Sequence, residues 1–207
     1  MSKIDYEKER KKQMQSTSGR RLLLHSCCAP CSSGVIERLV DDFDITIYFY
    51  NPNMDCEEEY LKRANEQARY IKEAFSDKVK LVIPHYSKQE FLTGVAGLEG
   101  EPEGGRRCEK CFTLRFNRCL EYATQEGFDF LTTTLTVSPY KNAILINNIG
   151  ERLCENSEVK WLYCDFKKDN GYLKSIENSK KHGLYRQDYC GCEFSLEEAI
   201  KRRKDRL

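Results

Sequence analysis

The stretch from Arg20 to Gly34 limits the fold more than any other. An apolar run, Leu22-Leu23-Leu24, leads into His25-Ser26-Cys27-Cys28-Ala29-Pro30-Cys31, and a helical pattern, residues 35–40 (VIERLV), follows at once. Contiguous apolar residues, rather than alternating ones, mark a strand buried on both faces, as in a parallel sheet. The run therefore predicts a first strand at 20–25. It ends in a turn that carries three thiols and opens a helix, with Ser32 and Ser33 as candidate N-caps.

The alternation continues along the chain. Residues 44–50 (DITIYFY) are β-branched and aromatic, as in a strand, and end at the turn signal Asn51-Pro52-Asn53. Further strands are expected at 80–83, 128–135 and 159–164. Helices are expected at 56–75, 88–98, 106–126, from Ser138-Pro139 to about 153, at 171–181, and at 196–203 behind a Ser195 cap. A glycine-rich loop spans 97–105 (GLEGEPEGG). Strands alternating with helices give an α/β fold, a mostly parallel sheet with helices on both faces. Ligands of such sheets bind beyond the carboxyl ends of the strands, which is where the first cysteines fall.

The 207 residues suit one domain, 20–207, behind a charged N-terminal extension, 1–19, that ends in the polar linker Ser16-Thr17-Ser18-Gly19. The first 21 residues are charged and hold no apolar signal segment. No apolar run approaches the roughly 18 residues of a membrane span. A cytoplasmic protein is expected. The eleven cysteines fall short of the ~8–10% of a disulfide scaffold, and in that compartment clustered thiols point to metal or redox chemistry. Net charge is +1, but residues 1–21 carry seven basic against three acidic residues, and 201–206 five against one. Basic ends of this kind either help to hold a polyanion or are solvated tails.

Seven of the cysteines lie in three groups: Cys27, Cys28 and Cys31; Cys108 and Cys111; Cys190 and Cys192. The spacing of Cys108 and Cys111 puts both thiols on one helix face, at a helix start that favours thiolates. Such thiolates suit zinc or an iron–sulfur cluster. The gaps between the groups are too long for a compact zinc knuckle, so the fold must assemble the site. Thiols one residue apart, as at Cys190 and Cys192, form only a strained and labile disulfide. That suits redox cycling or chelation of one metal. The remaining cysteines, Cys56, Cys119, Cys154 and Cys164, read as small buried hydrophobes. His25 reads as a core or supporting group, and Asp188 as a metal ligand or a turn cap. Arg106 and Arg107, beside Gly104 and Gly105 at a helix start, suit phosphate or form a solvated loop. No phosphate-binding glycine loop for ATP or NAD is present.

Taken together, several motifs in one order resemble the QueH-type epoxyqueuosine reductases: residues 25–31 (HSCCAPC), 50–53 (YNPN), 103–112 (EGGRRCEKCF), 138–141 (SPYK) and 185–192 (YRQDYCGC). The resemblance implies a sheet like that of the adenine-nucleotide hydrolases, with the nucleotide loop replaced by the cysteine turn. It implies a [4Fe–4S] cluster on Cys27, Cys28, Cys108 and Cys111. It also implies reduction of epoxyqueuosine in tRNA, the last step of queuosine biosynthesis, with electrons from an unidentified donor. A second, mononuclear iron has Cys31, Cys190 and Cys192 as candidate ligands. The alternative role of Cys190 and Cys192 is a redox pair that acts catalytically. Arg106, Arg107, Lys141 and Arg186 are candidate contacts to the anticodon loop. Two other function classes stay open: a non-catalytic zinc-binding nucleic-acid module, and a protein thiol–disulfide oxidoreductase.

Overall fold

The computed structural model of the chain describes residues 4–16 and 19–205. Among these residues five strands, β1 (Arg20–His25), β2 (Phe43–Tyr48), β3 (Val79–Val82), β4 (Phe130–Thr133) and β5 (Lys160–Trp161), form one sheet in the order β3-β2-β1-β4-β5. Every neighbouring pair is parallel, with His25 opposite Tyr48 on one side and Thr133 on the other. The contiguous leucines of β1 are wholly buried, as a central strand requires.

Among the described residues eight α-helices accompany the sheet: α1 (Tyr6–Gln13), α2 (Ala29–Leu39), α3 (Glu57–Phe75), α4 (Lys88–Gly94), α5 (Arg106–Gln125), α6 (Ala143–Cys154), α7 (Gly171–Lys181) and α8 (Glu193–Lys204). Helix α2 packs against α3 and α7, and α5 against α4 and α6, so the sheet lies between two helical layers. The expected α/β architecture is present. Strand order reverses between β1 and β4, which places a crevice at their carboxyl ends.

The differences from the sequence reading have local causes. Ser32 and Ser33 do not cap α2. They lie inside it and donate to the carbonyls of Ala29 and Pro30 (3.1 and 3.0 Å), while Cys28 takes the cap position. Ser195 likewise lies in the first turn of α8, whose cap is Cys192. Strand β4 stops at Thr133 because its hydroxyl accepts from Leu135 N (3.2 Å) and turns residues 134–137 into a 3-10 helix. Helix α6 starts at Ala143, not at Ser138, because the Asn142 side chain accepts from Ile144 N and Leu145 N (3.0 and 3.3 Å). Strand β5 is short because the backbone beyond it is diverted. Tyr163 N donates to the Gln13 side chain (2.9 Å), and Cys164 N to that of Asn147 (3.0 Å).

The N-terminal extension carries α1 across this edge of the sheet. Gln13 also donates to Trp161 O (2.9 Å), so one side-chain amide occupies the free edge of β5 as a further strand would. Tyr6 and Arg10 are buried, with the Arg10 guanidinium over the Phe166 ring. Thr17 and Ser18 of the expected linker lie outside the described residues.

The start of α7 is tightly constrained. A Cβ on Gly171 would meet the Phe166 carbonyl oxygen at 1.8 Å and Arg38 Nη2 at 2.9 Å. Gly171→Ala is expected to destabilise the fold by about 1–3 kcal/mol, the usual cost of forcing atoms into a filled space. Thermal unfolding followed by circular dichroism reads this as a lowered midpoint.

Candidate metal centre

Three helix N-termini deliver the cysteine groups to the switch-point crevice. The turn after β1 brings Cys27, Cys28 and Cys31 to the start of α2, where Cys28 is the cap and Pro30 fixes the first turn. Cys108 and Cys111 lie in the first two turns of α5. Cys192 caps α8, and its sulfur accepts from Ser195 N (3.4 Å). A cysteine cap carries no familiar capping signature, so the sequence pattern places the start of this helix behind Ser195 instead. Gly191 between Cys190 and Cys192 has φ 124° and leaves no room for a side chain, with Met54 Sδ 2.6 Å from where a Cβ would stand. Only glycine lets consecutive thiols leave the backbone this way.

The sulfurs of Cys27, Cys28 and Cys31 lie within 4.8 Å of one another. Among the described residues no other set of three or more His, Cys, Asp or Glu ligand atoms is so close. Cys27 Sγ and Cys28 Sγ are 3.8 Å apart. Hydrogen bonding from Cys28 and Cys31, reinforced by the charge of Arg115, pulls the Cys27 thiol well below its ordinary range. Hydrogen bonding to Cys27 pushes Cys28 up, and hydrogen bonding to Cys27 and Cys28 pushes Cys31 up. Cys108, Cys111, Cys190 and Cys192 form a second neighbourhood, coupled electrostatically to one another. Burial pushes Cys111 up to about 12. All eleven cysteines are free thiols in the structure.

Two cations, the buried Arg115 and the half-buried Lys141, join these neighbourhoods. Arg115 lies on α5 four residues after Cys111, on the same face, and interacts with Cys111, Cys27 and Cys190. Its Nε donates to His25 Nε2 (3.2 Å) and its Nη2 to Asn51 Oδ1 (2.5 Å). His25 Nε2 is therefore the acceptor, and Nδ1–H donates to Thr133 Oγ1 at 2.7 Å. Burial, with the Arg115 charge beside it, pushes His25 down to about 3 and keeps it neutral. Lys141 Nζ stands 3.1 Å from Cys190 Sγ and also feels Cys27. Burial alone would lower this ammonium, but the Cys190 sulfur holds it above its ordinary value.

Arg63, from α3, approaches the same place from the opposite helical layer. It pairs with Glu59 at 2.6 Å, donates to Cys190 O (3.4 Å) and interacts with Cys28. Arg63 Nη2 and Arg115 Nη1 are buried without a hydrogen-bond partner. Unpartnered buried donors are rare in folded proteins. Two of them beside a set of thiols fit an anionic, thiolate-held group better than an empty core.

A cavity of about 820 Å³ opens onto this centre, lined among others by Cys27, Cys31, Lys141, Cys190, Tyr140 and Arg186. The four cations expected at the substrate have different surroundings. Arg106 is exposed and pairs with Glu101 (2.6 Å). Arg107 is buried, donates to the carbonyls of Glu99 and Glu101, and stacks on Phe194. Arg186 donates to Ser175 O and Ser179 Oγ (3.3 and 3.1 Å) on the cavity wall. Asp188 is bound by Arg203 (2.8 and 2.5 Å). Of the cysteines read as packing groups, Cys119, Cys154 and Cys164 are buried, whereas Cys56 is exposed at the cap of α3.

A family model described as "Epoxyqueuosine reductase QueH" matches residues 22–198. The chain belongs to the QueH family. That match spans all three cysteine groups and both cavity-lining turns. The QueH protein of Staphylococcus epidermidis is 41% identical over 203 residues, 93% of this chain and 85% of the relative. Those of Streptococcus pyogenes and Thermotoga maritima are 40% and 36% identical, covering 84% and 86% of this chain and 69% and 91% of the relatives. QueH proteins are oxidoreductases by name, so the chain is an enzyme of that class. No helix among the described residues is long and apolar enough to cross a membrane.

The QueH motifs were visible as cysteine groups, but Arg115 and Arg63 were not. Each lies in a charged amphipathic helix, where an arginine normally faces water. The available signal was position: Arg115 follows Cys108 and Cys111 at helical spacing, so it shares the thiol face.

Proposed function

We propose that this chain reduces epoxyqueuosine to queuosine within tRNA, using an iron–sulfur centre held by its thiols. The observation that carries the reading is the convergence of two thiol neighbourhoods, joined by Arg115 and Lys141, beside a cavity that Cys27, Cys31, Cys190 and Lys141 line. In this reading Cys27, Cys28, Cys108 and Cys111 hold a [4Fe–4S] cluster. The donor set suits it, because buried thiolates at helix N-termini, with uncommitted arginine donors beside them, compensate the charge of an anionic cluster. When bound, such a cluster passes electrons one at a time from an external donor.

Converting the epoxide to an alkene takes two electrons and two protons and releases water. Cys190 and Cys192 have the right stoichiometry for that step: two thiols closing to a disulfide release two electrons and two protons. Lys141 Nζ, 3.1 Å from Cys190 Sγ, places a cation beside this pair. The alternative use of this pair is with Cys31, as ligands of a second iron. Arg115 and His25 are held beside the thiols by their buried hydrogen bonds. An unpaired, splayed nucleotide fits the cavity, since RNA bases are read when unstacked. Among the cations, Arg106 and Arg186 suit phosphate contacts and Lys141 faces the reacting base, while Arg107 holds the 97–105 loop beside them.

The deciding experiment uses anaerobic protein reconstituted with iron and sulfide. With a reductant it is expected to convert epoxyqueuosine-tRNA, with iron, sulfide and zinc counted on the same sample. Zinc in place of iron, with no conversion, would overturn the reading. Cys190→Ala and Cys192→Ala are expected to slow turnover roughly 100-fold or more, the scale of losing a group that acts in the reaction itself, while the iron bound by the other cysteines is kept. Full activity in Cys190→Ala would refute its role.

A further inference from the structure

The cavity mouth carries a side chain that neither the packing nor the thiol chemistry uses. Tyr140 is 86% exposed, more than any other large apolar side chain among the described residues that stand in water. No ring contact or hydrogen bond engages its side chain among the described residues. Its mounting is rigid nonetheless. Tyr140 N donates to Ser138 Oγ (3.3 Å), Lys141 N donates to Ser138 O (3.3 Å), and Pro139 fixes the backbone between them. The next side chain in sequence, Lys141, is anchored on Cys190 at the reaction centre. One short turn therefore holds a cation at the thiols and an aromatic ring at the rim.

Two further features of the same cavity bear on its occupant. Its volume, about 820 Å³, lies within the ~300–1,000 Å³ of sites that enclose a small molecule or a single extruded residue. It admits a nucleoside and no RNA helix. Its wall also includes Arg202, near the end of α8, half exposed and with Glu103 4.0 Å away as its ion-pair partner. Lys201, Arg203 and Lys204 surround Arg202 in the last turn of α8. A cation held this loosely is available to an incoming anion.

From these features we infer that Tyr140 is a stacking platform for the RNA base beside the one that enters the cavity, and that Arg202 holds an adjoining phosphate. The inference rests on the reading of the chain as an enzyme acting on a base within RNA. Drawing one base into the cavity unstacks it from its neighbour and bares that neighbour's π-face. An aromatic ring on a fixed mount replaces the lost stack, whatever the base. The hydroxyl is not needed for this role, but the ring is.

Anisotropy of a fluorescein-labelled tRNA anticodon stem–loop, titrated with full-length protein, tests the platform without depending on the cofactor. Tyr140→Ala is expected to weaken binding roughly 5- to 150-fold, the span of one base–aromatic stack. Tyr140→Phe and Tyr140→Trp are expected to keep it, and all three to melt with wild type because the ring is largely exposed and makes no hydrogen bond or ring contact among the described residues. Arg202→Gln is expected to flatten the slope of log affinity against log salt by about 0.7–1. Wild-type affinity in Tyr140→Ala overturns the platform, and an unchanged salt slope in Arg202→Gln overturns the phosphate contact. Epoxide reduction is followed on the same samples. Tyr140-dependent binding without reduction refutes the proposed chemistry and keeps the platform. Reduction with Tyr140-independent binding does the reverse.

Discussion

Cys111→Ser is expected to remove iron and turnover together. The thiol is buried and, without metal, protonated at any ordinary pH, since desolvation pushes it up to about 12. A metal gains its ligand there by displacing that proton. A serine hydroxyl is far harder to deprotonate and a poor ligand for iron–sulfur chemistry. Losing a group that merely orients a ligand costs 10–100-fold, so losing a ligand itself is expected to cost more than about 100-fold in kcat/KM. The control lies on the same helix. Cys119 is two turns further along α5, equally buried, and its thiol is pushed up by desolvation too. It has no thiol neighbour among the causes of that shift. Cys119→Ala is expected to keep its iron and its turnover. Iron and sulfide content, visible absorbance and single-turnover rates on the two variants separate burial from membership of the site. Equal iron in Cys111→Ser and wild type would remove Cys111 from the ligand set.

That contrast also marks how far the sequence reaches. The contiguous leucines of β1 and the alternation after them carry the sheet, and the thiol spacing carries the three groups. Both signals are local, and the structure preserves local periodicity. The contribution of α8 was not legible, because Ser195 looks like a cap and is instead the residue that holds the capping Cys192 and the Gly191 backbone. The diversion of β5 was not legible either. It depends on Gln13, some 150 positions away, taking the place of a strand. The burial of Arg115 depends on partners from three separate segments, His25, Asn51 and the thiols. No window of sequence contains them all. What sequence conceals here is charge compensation: thiols announce a site by spacing, while the cations that make it tolerable are scattered.

Metal-free protein is expected to lose stability steeply above pH 9, and metal to remove a defined part of that loss. The packing thiols set the baseline. Burial pushes Cys154 up to about 12 and Cys164 to about 11, and Cys119 upward as well. An unfolded thiol ionises near pH 8.5, whereas these stay protonated in the fold. Between about pH 8.5 and 11 the unfolded chain therefore binds fewer protons than the native one, and unfolding becomes easier by about 1.4 kcal/mol per pH unit for each such thiol. The stability these groups contribute is complete below pH 8.5 and is lost as pH rises towards their folded values. Without metal, Cys28 and Cys111 add to the same slope, each pushed up to about 12 by its surroundings. The partly exposed Cys108 adds less, and Cys27, already favoured as thiolate, adds nothing. Metal holds all of its ligand thiols deprotonated in the fold and cancels their share. Anaerobic urea midpoints between pH 8.5 and 10, with and without reconstituted iron and sulfide, are expected to differ in slope by about 3 kcal/mol per pH unit, the contribution of two thiols. A difference of one thiol would take either Cys28 or Cys111 out of the ligand set. Parallel slopes would mean that the metal is held by other atoms.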